Sequence, residues 1–334
     1  MQLPSHTRAI ALAARPHGLP APGDFALVDA PLPALRAGQA LVRNVVMSVD
    51  PYMRGRMDDR PSYVPPFRLH EPLEGGAVGE VIASANPAMP LGAFVLHAFG
   101  WREFAIVDAG TIVDTTAASP SAYLGVLGMP GLTAFVGLVE IAKIAAGETV
   151  FISAASGAVG SIAAGIAKLL GATTIGSTGS EANVPFLLDE LRYDRAFVAR
   201  TGAVSQALQD AAPDGIDVYF DNVGGETLDA ALVALRPFGR IAACGMISGY
   251  NERVDGPKNL AMIVGKRLRM EGFIVSDHFK RFPEFLALAG PAVRDGRIVA
   301  PETIVDGLEG APAAFISLFE RGAKRGKLVV RLQK

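Results

Sequence analysis

From about residue 120 onward, short apolar runs alternate with helical spacings. GLTAFVGLVEIAKI (131–144) places apolar side chains at helical intervals, and TVFIS (149–153) follows as a bounded run suited to a strand buried on both faces. A Gly-bearing turn and the small-residue helix SIAAGIAKLLG (161–171) come next. The alternation then repeats: ATTIG (172–176) with a helix near 182–192, AFV (196–198) with a helix near 203–211, and DVYFD (217–221) with a helix near 226–235. RIAACG (240–245) and RMEGFIV (269–275) complete six strands. Strands alternating with helices predict right-handed βαβ crossovers and a doubly wound α/β parallel sheet.

The first 90 residues read differently, because they hold 13 of the 23 prolines. Proline removes a donor and fixes φ, so loops and short strands are expected there. QALVRNVVMSV (39–49) and GAVGEVIAS (76–84) have strand patterns. The N-terminal MQLPSHTRAIALAARPHG has no acid before Asp24 and is faintly like a transit peptide. Its apolar stretch is short, however, and Pro16 and Gly18 follow, so it reads as the first strand. Beyond residue 276, FPEFLALAGPAVRDG (282–296) is helical and leads through IVAPETIV to a terminal KLVVRL strand. That tail is expected to rejoin the N-terminal domain. The predicted division is therefore 1–120 plus 277–334 for one domain and 121–276 for the other.

Composition narrows the function. At 334 residues the chain has room for about two domains. Hydrophobic residues make up 50% and charged residues 19%, which supports a large core rather than disorder. With 31 basic against 33 acidic residues, no nucleic-acid partner is expected. The one cysteine, Cys244, excludes an intrachain disulfide and a multi-thiolate zinc site. It fits a reducing compartment, and a cytoplasmic location is expected. No membrane span is expected either, since the apolar stretch 134–152 is cut by Glu140, Lys143 and Glu148. There is no G-x-S-x-G elbow, P-loop or H-E-x-x-H helix. His97 reads as a satisfied strand histidine, His70 and His278 have no partners at metal spacing, and Cys244 reads as core.

The chemistry concentrates in TVFISAASGAVGSIAAGIAK (149–168), a strand ending in a glycine turn that opens a helix. Against G-x-G-x-x-G it supplies Ala155, Gly157 and Gly160. Gly157 lets backbone approach a pyrophosphate, Gly160 lets helix and strand pack closely, and the helix N-terminus offers N–H groups to phosphates. An acid at the end of the second strand would bind a ribose 2′-hydroxyl. GSTGSEAN (176–183) has none at its tip, which favours NADPH, with Arg200 as the candidate cation.

SVDPYMRGRM (48–57), GMPGLTAF (128–135), AASGAVGS (154–161), DVYFDNVGGE (217–226), ACGMISGYN (243–251) and RMEGFIV (269–275) run in family order over nearly the whole chain. With these segments the chain resembles the zinc-independent medium-chain dehydrogenase/reductases. Within them it is similar to the leukotriene B4 12-hydroxydehydrogenase/prostaglandin reductase branch, which includes alkenal double-bond reductases. The resemblance implies a Rossmann domain inserted in a partly open antiparallel-barrel (GroES-like) catalytic domain, a site in the cleft, and a homodimer. It places the pyrophosphate on Gly157, Ala158, Val159 and Gly160, and lines the nicotinamide side with Met129 and Thr133. Asn222 and the stretch from Cys244 and Gly245 to Tyr250 would flank the riboses, and Phe273 and Val275 would close over the nicotinamide. Tyr52 and Tyr250 would face the substrate.

Three positions depart from the family pattern. Asn183 stands where relatives carry lysine and Ala199 where they carry tyrosine, both grips on the 2′-phosphate, leaving Ser180 and Arg200 to do more and NADH open as an alternative. Lys324, in GAKRGK (322–327), replaces an asparagine that touches the cofactor and could reach a phosphate instead. Metal-dependent relatives have cysteine where this chain has Ser48, and GHE where it has Glu74-Gly75-Gly76, so no metal is expected.

The expected reaction is NAD(P)H-dependent reduction of the C=C bond of small hydrophobic α,β-unsaturated ketones or aldehydes. Quinone reduction, and a non-catalytic NADPH-binding redox sensor, are the alternatives. Tyr250 is read either as the hydrogen-bond donor to the substrate oxygen or as a pocket-shaping side chain. Tyr52 is read as a pocket wall, with Arg54 and Arg56 solvated or paired in its loop. GYNERVDGPKNL (249–260) reads as a mobile flap.

Overall fold

The computed structural model describes residues 3–320, 322 and 324–333. They fall into two compact units: Met1–Leu124, Thr303–Glu320 and Leu328–Lys334 form the first, and Gly125–Glu302 and Arg321–Lys327 the second. The chain opens with β1 (His6–Leu12), β2 (Phe25–Pro31), β3 (Ala40–Ser48), α1 (Met53–Arg56), β4 (Ala77–Ser84), β5 (Phe94–His97), β6 (Phe104–Val107) and β7 (Thr111–Val113). The second unit carries α2 (Met129–Phe135), β8 (Thr149–Ile152), α3 (Ala158–Leu169), β9 (Thr173–Thr178), β10 (Arg195–Val198), α4 (Val204–Ala211) and β11 (Ile216–Asp221). It continues through α5 (Gly225–Ala234), β12 (Leu235–Ala243), α6 (Ala261–Lys266), β13 (Arg269–Gly272) and α7 (Phe282–Arg294). The last elements are β14 (Glu302–Asp306), α8 (Ala311–Ser317) and β15 (Lys327–Arg331).

In the first unit, β1 and β2 form an antiparallel pair, so the N-terminal segment is a strand as its pattern predicts. A second sheet runs β14-β15-β3-β4-β5-β7, with β6 also on β3. Its core stacks Phe25 on Trp101 at 6.2 Å, with Phe315 edge-on to both rings and Met47, Met53 and Met57 fully buried around them.

His97 in β5 is held in the neutral form. Its Nε2 donates to Asn44 Oδ1 at 2.9 Å, while Nδ1 accepts from the Phe99 N–H at 3.1 Å. Burial, helped by Arg102, pushes the imidazole down to about 3. The folded chain therefore refuses a proton that the unfolded chain takes below pH 6.5, so this contribution is complete above 6.5 and is lost as pH falls. Between pH 7 and pH 5 it should cost wild type about 2 kcal/mol. Urea unfolding at the two pH values checks this: His97→Gln, which cannot titrate, should lose that much less over the interval.

The second unit has a six-stranded sheet ordered β10-β9-β8-β11-β12-β13, every pair parallel. Numbered by sequence the order is 3-2-1-4-5-6, so the strand direction of growth reverses between β8 and β11. Val150, Phe151 and Ile152 are wholly buried, as a strand covered on both faces requires. Gly176 in β9 is needed for packing, because a Cβ there would come within 2.9 Å of both Ala155 and Tyr193.

Four readings of the pattern need correction. The segment near 182–192 is helical over 181–190 but not a regular α-helix. It opens as a 3₁₀ turn, Glu181–Asn183, passes through Val184 and Pro185 in helical backbone, and widens into a π turn, Phe186–Glu190. The helix over 131–144 is α only to Phe135 and widens into a π turn at Val136–Ile141. Cys244 lies just past the end of β12 and is half-buried rather than mid-strand core. Finally, the boundary at 277 is displaced: residues up to Glu302 and the Arg321–Lys327 segment belong with the parallel-sheet unit. The cause is packing. Phe285 of α7 meets Phe135 of α2 at 5.9 Å and fills the space over Gly131, while Ile298 covers Gly165 of α3.

Candidate functional site

The end of β8 turns through Ala154, in the left-handed region at φ 47°, before Gly157 opens α3. A Cβ on Gly160 would lie 2.5 Å from Ala154 O and 2.7 Å from Ala155 Cα, so only glycine allows the helix this close to the turn. Gly157 has an extended backbone and offers no side-chain cap, leaving the first N–H groups of α3 to meet an anion. Ala158, Val159 and Gly160 supply that first turn.

At the switch point, Asn222 joins the ends of β8 and β11: its Nδ2 donates to Ser153 O at 2.8 Å, and its N–H donates to Ser153 Oγ at 2.9 Å. Fully buried Asp221 organises the neighbouring turn. Its Oδ1 accepts from Tyr219 OH (2.7 Å), Val223 N (2.9 Å) and Gly224 N (2.8 Å), and its carbonyl accepts from Cys244 N and Gly245 N. Burial holds the Asp221 carboxyl above the usual carboxylate range. Sequence reading passed over this network, since nothing in DVYFD marks its last carboxylate as the fastener of two strand ends.

Beyond β12, Cys244, Gly245, Phe273 and Ile274 line a pocket of ≈ 400 Å³. Burial and the nearby Asp221 carboxyl push the Cys244 thiol up to about 12, so it remains a thiol at neutral pH. Tyr250 follows the 3₁₀ turn Ile247–Gly249, and its hydroxyl lies 3.1 Å from the place a Gly245 Cβ would occupy. Phe273 packs edge-on to Phe220 at 6.4 Å, and Val275 opens the 3₁₀ turn Val275–Arg281. Residues 251–257 contain no helix or strand. Met129 and Thr133 stand on α2, where the Thr133 hydroxyl donates to Met129 O at 2.7 Å.

At the end of β9, the Ser180 N–H donates to Thr178 Oγ1 at 3.4 Å, and buried Asn183 reaches Ser156 Oγ (3.3 Å), Thr178 Oγ1 (3.4 Å) and Lys324 O (3.4 Å). Arg200 pairs with Glu181, both largely exposed. The Lys324 ammonium nitrogen is shielded from solvent. Tyr52 belongs to the other unit, in which burial and the Asp50 charge push its phenol above the usual range. Its neighbours are paired, Arg54 with Asp58 and Arg56 with Glu74. Ser48 donates to Asp50. Among the described residues, no three His, Cys, Asp or Glu side chains are grouped to hold a metal.

Two family models match, one described as the N-terminal domain of oxidoreductase over residues 8–114 and one as zinc-binding dehydrogenase over residues 158–290. A 2-alkenal reductase of Nicotiana tabacum is 41% identical, covering 89% of this chain and 88% of its own. An NADPH-dependent curcumin reductase of Escherichia coli is 39% identical over 99% of this chain and 98% of its own. The chain belongs to the medium-chain dehydrogenase/reductases, in their zinc-independent alkenal reductase branch. The crystal structure of CurA from Vibrio vulnificus in complex with NADPH superposes with a TM-score of 0.93 at 40% identity, covering 98% of this chain and 99% of that one. The parallel-sheet unit is thus the Rossmann domain and the antiparallel unit the GroES-like domain of an oxidoreductase. No helix among the described residues is long and apolar enough to cross a membrane.

Proposed function

We propose that this enzyme reduces the C=C bond of small hydrophobic α,β-unsaturated ketones or aldehydes, using NADPH. The observation that carries the reading is end-to-end similarity to enzymes named for alkenal and curcumin reduction. The site fits the cofactor on its own terms. The Gly160 contact excludes any side chain from the turn, the start of α3 is uncapped, and the end of β9 carries hydroxyls where an acid would repel a 2′-phosphate.

NADPH, when bound, supplies a hydride to the β-carbon of the substrate. Gly157 to Gly160 would hold the pyrophosphate, Asn222 and Gly245 would border the riboses, and Phe273 would exclude water from the nicotinamide face. As negative charge builds on the substrate oxygen, the Tyr250 hydroxyl donates a hydrogen bond to it, and the resulting enolate takes a proton from solvent water at its α-carbon to give the saturated product. The positions used for zinc in metal-dependent relatives hold Ser48 and Glu74-Gly75-Gly76, with neither thiol nor imidazole.

Cofactor oxidation followed with NADPH and NADH against a simple enone and a simple quinone tests the proposal. A saturated ketone formed at the expense of NADPH is expected. Hydroquinone as the only product would replace it with quinone reduction, and tight NADPH binding without turnover of either acceptor would make the protein a sensor.

A further inference from the structure

A 2′-phosphate lies beyond the end of the second strand of a sheet of this order, here β9. Apart from Glu181, the groups presented there are neutral: the hydroxyls of Ser156, Thr178 and Ser180 and the amide of Asn183. Arg200, just past β10, pairs with Glu181 out at the surface, both side chains about two-thirds exposed, and that exposed pair does not fix its place. A second cation arrives from far along the chain. Gly326 N donates to Ser156 O at 2.7 Å and forms a bridge with Gly157, which pins the 324–327 segment against the glycine turn. Arg325 then lies across the β9 loop. Its Nε donates to Asn183 Oδ1 at 3.3 Å, its Nη2 donates to Ala182 O at 3.1 Å, and its guanidinium sits 4.5 Å from the centroid of the Phe186 ring. Because Asn183 Nδ2 faces Ser156 and Thr178, one amide links the guanidinium to the strand-end hydroxyls.

We propose that Arg325 reads the 2′-phosphate of NADPH in this chain, with Asn183 as the buried residue that positions it. A planar fork suits a phosphate, since two N–H groups can meet two oxygens at once. The rival anion is Glu190, 3.4 Å from Nη1 and more than half exposed. A phosphate monoester carries a charge of about −1.5 to −2 at neutral pH, against −1 for the carboxylate, so charge favours the phosphate in competing for the guanidinium. Phe186 supplies a face that keeps the guanidinium in place. Position 183 thus serves the phosphate indirectly, its short side chain leaving room for a cation delivered from residue 325.

The test is calorimetric binding to the full chain, with NADPH, NADH, adenosine 2′,5′-bisphosphate and AMP as ligands. Arg325→Ala should weaken NADPH and the bisphosphate by about 10- to 100-fold while NADH and AMP change less than about threefold. Arg325→Lys should recover part of the loss. Equal weakening of all four ligands would make Arg325 a structural residue and overturn the proposal. So would a larger loss of discrimination in Arg200→Ala than in Arg325→Ala. Wild-type protein that binds NADPH and NADH alike would overturn both this proposal and the NADPH reading. Wild-type discrimination that survives Arg325→Ala would overturn this proposal alone.

Discussion

Gly326→Ala is expected to destabilise the Rossmann unit by about 3 kcal/mol or more and to weaken NADPH binding at least about tenfold. The residue adopts φ 67°, where a side chain already costs about 1 kcal/mol. Worse, its Cβ would fall 1.7 Å from Pro301 O and 2.4 Å from Pro301 C. Those atoms are backbone and cannot rotate away. Pro301 is itself fixed, because its carbonyl accepts from Lys327 N at 2.9 Å, while Gly326 N is committed to Ser156 O on the opposite side. Relief therefore requires the 324–327 segment to leave the glycine turn, which is why affinity should fall together with stability. Thermal unfolding and NADPH titration measure the two losses. Gly265→Ala is the control: nothing lies within 4 Å of that Cβ, and alanine is the better helix former in α6. A Gly326→Ala protein as stable as wild type would show that the Pro301 contact relaxes freely.

The contrast between these two glycines marks how far sequence could be read. β8, β9, β10, β11, β12 and β13 each fall on a run that the pattern singles out; in β8 and β11 the reason is that strands buried on both faces leave an apolar signature, whereas the more exposed β10 and β13 are marked by their alternation with helices. Gly160 was legible for a similar reason, since a strand–turn–helix unit needs glycine where helix and strand meet. What the pattern missed depends on contacts between distant residues. Gly326 meets Ser156, and Arg325 meets Asn183 across 142 positions, yet nothing local in GAKRGK separates a guanidinium docked on the β9 loop from a solvated one. Lys324 attracted notice because it departs from a familiar pattern, while the neighbouring arginine makes the closer side-chain contact with Asn183. The displaced domain boundary has the same origin. The helical spacing of 282–296 is correct, but Phe285 and Ile298 choose their unit through shape, against Gly131 and Gly165.

Tyr250→Phe is expected to lower kcat about 10- to 100-fold on an enone, within the usual contribution of a positioned proton or hydrogen-bond donor. The case rests on place and chemistry. The hydroxyl sits against Gly245 at the end of β12, on the carboxyl side of the sheet where ligands of this fold bind, beside the pocket bordered by Cys244 and Phe273. Of the neighbouring groups able to donate, Cys244 is a thiol pushed up to about 12 and only a weak donor, so it is a poor substitute for a phenol. Gly245 has no side chain, and a methyl group there would meet the Tyr250 oxygen at 3.1 Å, so the glycine is what lets the hydroxyl approach the backbone. Phenylalanine keeps the ring and removes only the oxygen. If the phenol stabilises developing charge, the loss appears in kcat while the dissociation constant of NADPH stays within about threefold, because the interaction strengthens only as the substrate oxygen becomes negative. If the ring only shapes the pocket, kcat stays near the wild-type value and KM carries whatever change there is. Single-turnover oxidation of bound NADPH separates the two, since it reads hydride transfer free of product release.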